Sequence, residues 1–231
     1  MDARMAKAWY GGAWYETPNG GVHPQNDPAN PQASGPVDEI HDLLAQEITP
    51  GIRTLDLGCC AGRFTFAMDK MGAVATGLDC VEYPLEYARR LANQWGSNAT
   101  FVEASFHDLP LGPNSFDLVL FPNNIVDCSY PEFEHLLAQL GRILAPAGKL
   151  CIEMADGLQR AVDRKKLPQG YDPLSGICHG TNQALGHTMV PQDTCFWTPG
   201  FAIHLARRWF SLVKHAQTPG GATWLVFRRP G

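Results

Sequence analysis

Asp56, Gly58, Gly62 and Asp79 are the residues whose types and spacing could do chemistry. The apolar run Leu55-Asp56-Leu57 gives way to Gly58-Cys59-Cys60-Ala61-Gly62 and then Arg63-Phe64, so a strand stops beside an acid and a small-residue turn opens a helix. Glycine is required where a backbone takes positive φ or approaches a ligand more closely than a Cβ permits. Turns of this kind at the carboxyl ends of strands bind nucleotides. The dinucleotide pattern Gly-x-Gly-x-x-Gly would place glycines at positions 60 and 63, where Cys60 and Arg63 stand, which disfavours a nicotinamide or flavin. An acid two residues before the turn is poorly suited to a pyrophosphate at a helix N-terminus. It suits a ligand carrying an amine or hydroxyls.

The second acid supports the same chemistry. Ala73 to Leu78 reads as a buried strand that ends in Asp79, 23 positions after Asp56. In a βαβ unit an acid at that tip accepts both ribose hydroxyls. A strand-end acid can also cap the helix that begins near Tyr83-Pro84, and the two roles are compatible.

The elements that must position these residues alternate. A helix over Phe64–Met71 is stopped by Gly72, a second covers Leu85–Ala92, and Ala99–Glu103 reads as a third strand. Phe116–Phe121 is a fourth strand, a helix runs from Pro131 to Leu144, and Lys149–Met154 is a fifth strand. Strands separated by helices imply a parallel sheet with right-handed crossovers. Thr198-Pro199 supplies an N-cap and a first-turn proline for a helix running to about Phe210. Leu212–Ala216 and Thr223–Phe227 flank Thr218-Pro219-Gly220-Gly221, a hairpin pattern.

With these residues in register, the sequence resembles the class I S-adenosylmethionine-dependent methyltransferases over about residues 36 to 229. Their first motif, acid-x-Gly-x-Gly-x-Gly, is met by Asp56, Gly58 and Gly62, with Cys60 as a departure. Ala104-Ser105-Phe106-His107-Asp108-Leu109-Pro110 ahead of Ser115-Phe116-Asp117-Leu118-Val119 matches a second segment of the family. The resemblance implies an α/β fold: a Rossmann-like, seven-stranded, mostly parallel sheet with helices on both faces and a C-terminal antiparallel hairpin. It implies S-adenosyl-L-methionine as cofactor and S-adenosyl-L-homocysteine as product. Asp56, Gly58, Cys60 and Gly62 would cradle the methionine portion, Asp79 the ribose, and Ser105 with the backbone N–H of Phe106 the adenine. Cys80 and Pro122 complete that set. Ser105 replaces the usual acid, so its contact with the adenine amine would be neutral and weaker. Asp108 either compensates or caps the Leu109-Pro110 turn.

Residues 1–35 lie outside the family core, which is assigned to 36–231. Trp9, Tyr10, Trp14 and Tyr15 place four aromatics in seven residues among Pro18, Pro24, Pro28 and Pro31. A disordered tail would be poor in aromatics, so this segment is read as a lid over cofactor and acceptor, with His23, or as a patch on a core edge. The implied acceptor is a small molecule, methylated on O or N in secondary metabolism. Tyr10, Trp14, Tyr15, Asn123 and Asn124 would border it, although Pro122-Asn123-Asn124 also suits a turn. The segment after the fourth strand is not the Asn/Asp-Pro-Pro-aromatic motif of nucleic-acid and glutamine methyltransferases. The 156–190 insertion is long enough to be a functional loop near the acceptor; its His179 and His187 are the candidates for a general base. Alternatives are a protein-side-chain methyltransferase and a catalytically silent cofactor-binding protein in which Cys60 and Ser105 record a degraded site.

Bulk properties set the remaining bounds. At 231 residues, 45% hydrophobic and 18% charged, the chain is globular in composition. A net charge of −5 argues against a nucleic-acid partner, whose phosphates call for clustered Lys and Arg. Arg160, Arg164, Lys165 and Lys166 form the one basic run, interrupted by Asp163 and read as a solvated face. Seven cysteines without a paired framework point to a reducing, cytoplasmic setting. Cys178, His179, His187 and Cys195 are too irregularly spaced for a zinc set, and no metal is expected. No signal peptide and no apolar run of the ~20 residues a membrane span needs is read.

Overall fold

β1 (Arg53–Leu57) and β4 (Phe116–Pro122) are buried along almost their whole length, because each has a strand on both sides and a layer of side chains on both faces. They stand at the middle of a seven-stranded sheet of order β3-β2-β1-β4-β5-β10-β9 in this computed structural model. The structure describes residues 27–29, 37–122, 124–125, 128–155, 171–172, 177–178, 194–195, 197–218 and 221–231. β2 is Val74–Asp79, β3 is Thr100–Glu103 and β5 is Leu144–Ala155. β1 to β5 pair in parallel. β9 (Ser211–Gln217) and β10 (Ala222–Arg228) form the terminal hairpin, and β10 runs antiparallel to β5. The expected α/β sheet with its antiparallel C-terminal hairpin is the observed one.

Two cores sit on the two faces. Leu55, Leu57, Val119, Phe121, Leu150 and Ile152 pack with Phe133, Leu136, Leu140, Ala202 and Ala206. The last five belong to α4 (Tyr130–Ile143) and α5 (Pro199–Ala206). On the opposite face Leu118, Leu120, Cys151, Trp224 and Val226 pack with residues of α1 (Val37–Ala45), α2 (Arg63–Lys70) and α3 (Glu82–Trp95). Alternation along each strand therefore assigns every side chain to one layer.

Local chemistry explains the helix ends. Ser129 caps α4 and Glu132 returns the bond, a complete capping box. Thr198 accepts from the Phe201 N–H and Pro199 fills the first turn of α5. α5 stops at Ala206 rather than near Phe210, because the chain turns over 207–209 to bury Phe210 in the core. β5 starts at Leu144, five residues before the expected strand, and carries a left-handed Ala147 at φ 63 ahead of Gly148. Three short antiparallel strands lie within or just after the insertion: β6 (Tyr171–Asp172), β7 (Ile177–Cys178) and β8 (Thr194–Cys195). The division at residue 35, the aromatic segment and the rest of the insertion lie outside the described residues.

Candidate functional site

The site begins where β1 and β2 leave the sheet side by side. Asp56 lies opposite Gly77 and Leu57 opposite Leu78, so the next pair in register is Gly58 with Asp79. The N–H groups of Gly58 and Cys59 both donate to the Leu78 carbonyl, at 2.7 and 2.9 Å. The turn then uses the left-handed region three times, at Gly58 (φ 81), Cys60 (φ 50) and Gly62 (φ 85). A Cβ on Gly58 would lie 2.4 Å from Asn124 Nδ2, and one on Gly62 would lie 2.6 Å from Phe101 Cε1. Cys60 enters that region despite its Cβ, which few residues other than glycine do. The turn thus keeps a glycine-like course at the position where the sequence departs from the motif.

Asp79 organises this turn. Its carboxylate accepts from the Cys60 N–H at 2.8 Å through Oδ2 and from the Val81 N–H at 3.0 Å through Oδ1. Val81 is the N-cap position of α3 and has no side-chain cap, so Asp79 grips the chain leading into the helix rather than capping it. Burial pushes its pKa up to about 6, while the N–H donors of Cys60, Val81 and Cys80 pull the other way. With three N–H donors on about four lone-pair sites, the carboxylate keeps acceptor capacity for a further donor.

Asp56 lies beneath the turn, fully buried. Oδ2 accepts from Thr65 Oγ1 at 2.7 Å, which ties the first turn of α2 to β1. Oδ1 is buried with no hydrogen-bond partner among the described residues. Burial, with Asp79 nearby, pushes the Asp56 pKa up to about 7 against the Thr65 bond. A carboxyl whose folded pKa is raised gives stability that is present below its unfolded pKa and lost as pH rises through the folded value. Asp56→Asn keeps an acceptor for Thr65 and removes that titration. The variant should therefore melt higher than wild type at about pH 8, by on the order of 2 kcal/mol. The gap should close toward about pH 4; thermal melts across that range check it.

β3 brings the next segment alongside. The Ala104 N–H donates to the Asp79 carbonyl at 2.9 Å, placing Ser105 and Phe106 at the exit of β3 next to the acid. Ser105 Oγ accepts from the His107 N–H at 3.3 Å, and Ser105 forms a bridge with Asp108, which is exposed. Phe106 is half-buried and set edge-on to Phe121, with centroids 5.4 Å apart. Gln139 of α4 holds the segment, donating to the Phe106 carbonyl at 2.9 Å and accepting from the Leu109 N–H at 2.8 Å. His135 is exposed, its Nε2 3.0 Å from the His107 carbonyl.

Pro122 ends β4 in register with Glu153. Asn124, two residues on, turns back toward β1: Nδ2 donates to the Leu57 carbonyl at 3.0 Å and reaches the Gly58 carbonyl at 3.5 Å. The side chain read as an acceptor contact therefore braces the Gly58–Gly62 turn. Cys80 is half-buried beside Asp79. Asp56, Gly58, Cys60, Gly62, Asp79, Cys80, Ser105, Phe106, Pro122 and Asn124 all gather at the carboxyl edge of β1 to β4. Tyr10, Trp14, Tyr15, His23, Asn123, His179 and His187 lie outside the described residues. No group of His, Cys, Asp or Glu that could hold a metal occurs among the described residues. Nor is any helix among them long and apolar enough to cross a membrane.

Thr65 and Gln139 are the supporting residues that sequence reasoning missed. Each had a visible trace: a hydroxyl in the first turn of the helix opened by Gly62, and an amide on the otherwise apolar stripe of α4.

Known proteins resemble this chain in part of its sequence and in its fold. Residues 54–148 match the family described as "Methyltransferase domain". The fatty-acid O-methyltransferase of Mycolicibacterium smegmatis is 34% identical over 110 residues, 47% of this chain and 39% of that one. Among solved structures, a Pyrococcus horikoshii protein superposes with a TM-score of 0.75 at 21% identity, covering 88% of this chain and 93% of its own. A second is the 1,6-didemethyltoxoflavin-N1-methyltransferase of Burkholderia thailandensis with S-adenosylhomocysteine bound. It has a TM-score of 0.63 at 20% identity and covers 84% of this chain and 78% of its own. The chain spans 53% and 39% of the length of two of the curated relatives it matches. The family match over the turn and the sheet order around it agree: residues 54–148 of this chain match the methyltransferase-domain family, and its sheet has the fold of a solved methyltransferase.

Proposed function

We propose that this chain transfers the methyl group of S-adenosylmethionine to a small-molecule acceptor, on oxygen or nitrogen, in secondary metabolism. The observation that carries the reading is the Asp79 carboxylate, buried at the tip of β2 and locked to the Gly58–Gly62 turn through the Cys60 N–H. Its remaining acceptor capacity suits a ribose hydroxyl. Phe106 offers a half-buried ring and Ser105 a hydroxyl at the adenine end.

The cofactor, when bound, supplies an electrophilic methyl carbon on a sulfonium. What remains for the protein is to hold the acceptor in line, exclude water and, for an alcohol, accept a proton. Tyr10, Trp14, Tyr15 and Asn123 are proposed for enclosure of the acceptor, residues 1–35 as the lid, 36–231 as the domain and 156–190 as the insertion beside it. His179 and His187 are proposed as the base. Unchanged turnover in both His179→Ala and His187→Ala would remove that assignment. A cytoplasmic enzyme with neither nucleic acid nor membrane as partner fits the acidic charge.

The deciding experiment is calorimetric titration of S-adenosylmethionine and S-adenosylhomocysteine into the full chain, with ATP as comparison. Saturable binding of the two sulfur nucleosides and none of ATP is the expected result. Absence of binding by either would overturn the reading.

A further inference from the structure

The turn that leaves β3 beside Asp79 is steered from one helix. The Ser105 carbonyl accepts from the Asp108 N–H at 3.2 Å, which closes residues 105–108 into a turn, and the Ser105 hydroxyl accepts from the His107 N–H at 3.3 Å. A trans peptide points its C=O and N–H in opposite directions. The Phe106 N–H shares its peptide with the Ser105 carbonyl, so it points out of the turn, and it donates to no group among the described residues.

The turn is gripped from α4. Glu132, His135, Gln139 and Arg142 recur at helical spacing on one face of that helix, and each reaches the segment. Gln139 Nε2 donates to the Phe106 carbonyl at 2.9 Å and reaches the His107 carbonyl at 3.4 Å, while its Oε1 accepts from the Leu109 N–H at 2.8 Å. His135 Nε2 lies 3.0 Å from the His107 carbonyl, and His107 Nε2 lies 3.5 Å from Glu132 Oε1. Arg142 donates to the Leu109 and Leu111 carbonyls. Gln139 is half-buried, and its amide bonds once within the turn and once just past it. Position and direction of the turn are thereby fixed together.

We propose that Gln139 is the positioning residue for base recognition: its amide aims the Phe106 N–H at the cofactor's base and so selects a ring nitrogen with a lone pair over a ring N–H. The inference rests on the methyltransferase reading, in which the base lies beside Ser105 and Phe106, and deepens it by naming what sets the selectivity there. The Ser105 hydroxyl discriminates little, since it can accept from an amine or donate to a carbonyl. The backbone N–H can only donate, and against another donor it is left unpaired.

The test is calorimetric titration of S-adenosylhomocysteine and its 6-oxo analogue, S-inosylhomocysteine, into the full chain. In the analogue the exocyclic amine becomes a carbonyl and the adjacent ring nitrogen carries a hydrogen. The same titrations are made on Gln139→Met, which keeps the side-chain length and removes both bonds, and on Gln139→Glu, which keeps the acceptor for Leu109 but sets a carboxylate against the Phe106 carbonyl. Wild type should prefer S-adenosylhomocysteine by at least about tenfold. Each variant should lose about tenfold for S-adenosylhomocysteine and less than about threefold for the analogue, so that the preference falls toward unity. A role confined to stability would weaken both ligands by one factor. That result, a preference unchanged in the variants, or equal affinity of wild type for the two ligands would each overturn the proposal. If Gln139→Met fails to fold, Gln139→Glu and the wild-type comparison decide. Failure of S-adenosylhomocysteine itself to bind wild type would instead overturn the methyltransferase reading.

Discussion

Asp79→Ala should weaken S-adenosylhomocysteine binding by at least about 100-fold, since hydrogen bonds to a charged group contribute roughly 1.5–3 kcal/mol each. Such a bond to a ribose hydroxyl is lost. The Cys60 N–H also loses its acceptor at 2.8 Å, so the left-handed Cys60 is no longer held in place. Asp79→Asn retains acceptor oxygen but no charge, and a loss of about tenfold is expected. The pH dependence is the sharper signature. Burial raises the Asp79 pKa to about 6 in the free protein, and the ligand takes the carboxylate form. Affinity should therefore climb with pH through about 6 and level off above it. The free protein behaves in the opposite sense, because a raised folded pKa means stability is lost as pH rises through that value. Between about pH 5 and 8 the melting temperature of the free chain should fall while the increment given by S-adenosylhomocysteine grows. Calorimetry and thermal melts over that range are the measurements: in Asp79→Asn the affinity should be flat and the fall in melting temperature should shrink to the part Asp56 contributes, and an affinity independent of pH in wild type would refute the role.

Much of this site could be read from sequence because its key features are local. A strand ending in an acid, a glycine-bearing turn and a second acid at the next strand tip each occupy a few consecutive residues. What was not legible depends on residues far apart in the chain. Asn124 reads as turn chemistry in its own segment, and only the return of its amide to Leu57, 67 residues away, reveals it as a brace. Asp79 reads as a ribose ligand or a helix cap, but its grip on the Cys60 N–H arises from the pairing of β1 with β2. Gln139 and Phe106 are 33 positions apart in the sequence, and nothing but the packing of α4 beside the exit of β3 makes them neighbours. The helix expected to reach Phe210 ends at Ala206 for a similar reason: burial of the Phe210 ring in the shared core decides where the chain turns, and local propensity does not. Tyr10, Trp14 and Tyr15 have no counterpart among the described residues, so the lid stays a proposal on composition alone.

Gly58→Ala should be strongly destabilising. Its φ of 81 places it in the left-handed region, where an L side chain costs roughly 1–2 kcal/mol. Gly51 has a similar φ of 86, yet a Cβ there meets nothing within 4 Å, so Gly51→Ala isolates that backbone cost. At Gly58 the new methyl would also sit 2.4 Å from Asn124 Nδ2 and 2.7 Å from its Cγ. Asn124 must swing away, which breaks its 3.0 Å bond to the Leu57 carbonyl and leaves a buried acceptor unpaired, a further 1–3 kcal/mol on the order-of-magnitude scale. Denaturant unfolding should show Gly58→Ala losing about 3 kcal/mol against about 1 for Gly51→Ala. Asn124→Ala removes the obstructing amide, so adding Gly58→Ala to it should cost little beyond the backbone term, and the double variant should be more stable than the two separate losses sum to. The cofactor reading adds a second axis. S-adenosylhomocysteine affinity should fall in Gly58→Ala and in the double variant alike, because both strain the left-handed backbone of the turn the ligand must meet, while Gly51→Ala leaves affinity untouched. If Gly58→Ala proves no more harmful than Gly51→Ala, then Asn124 moves aside freely and its bond to Leu57 is not what holds the turn.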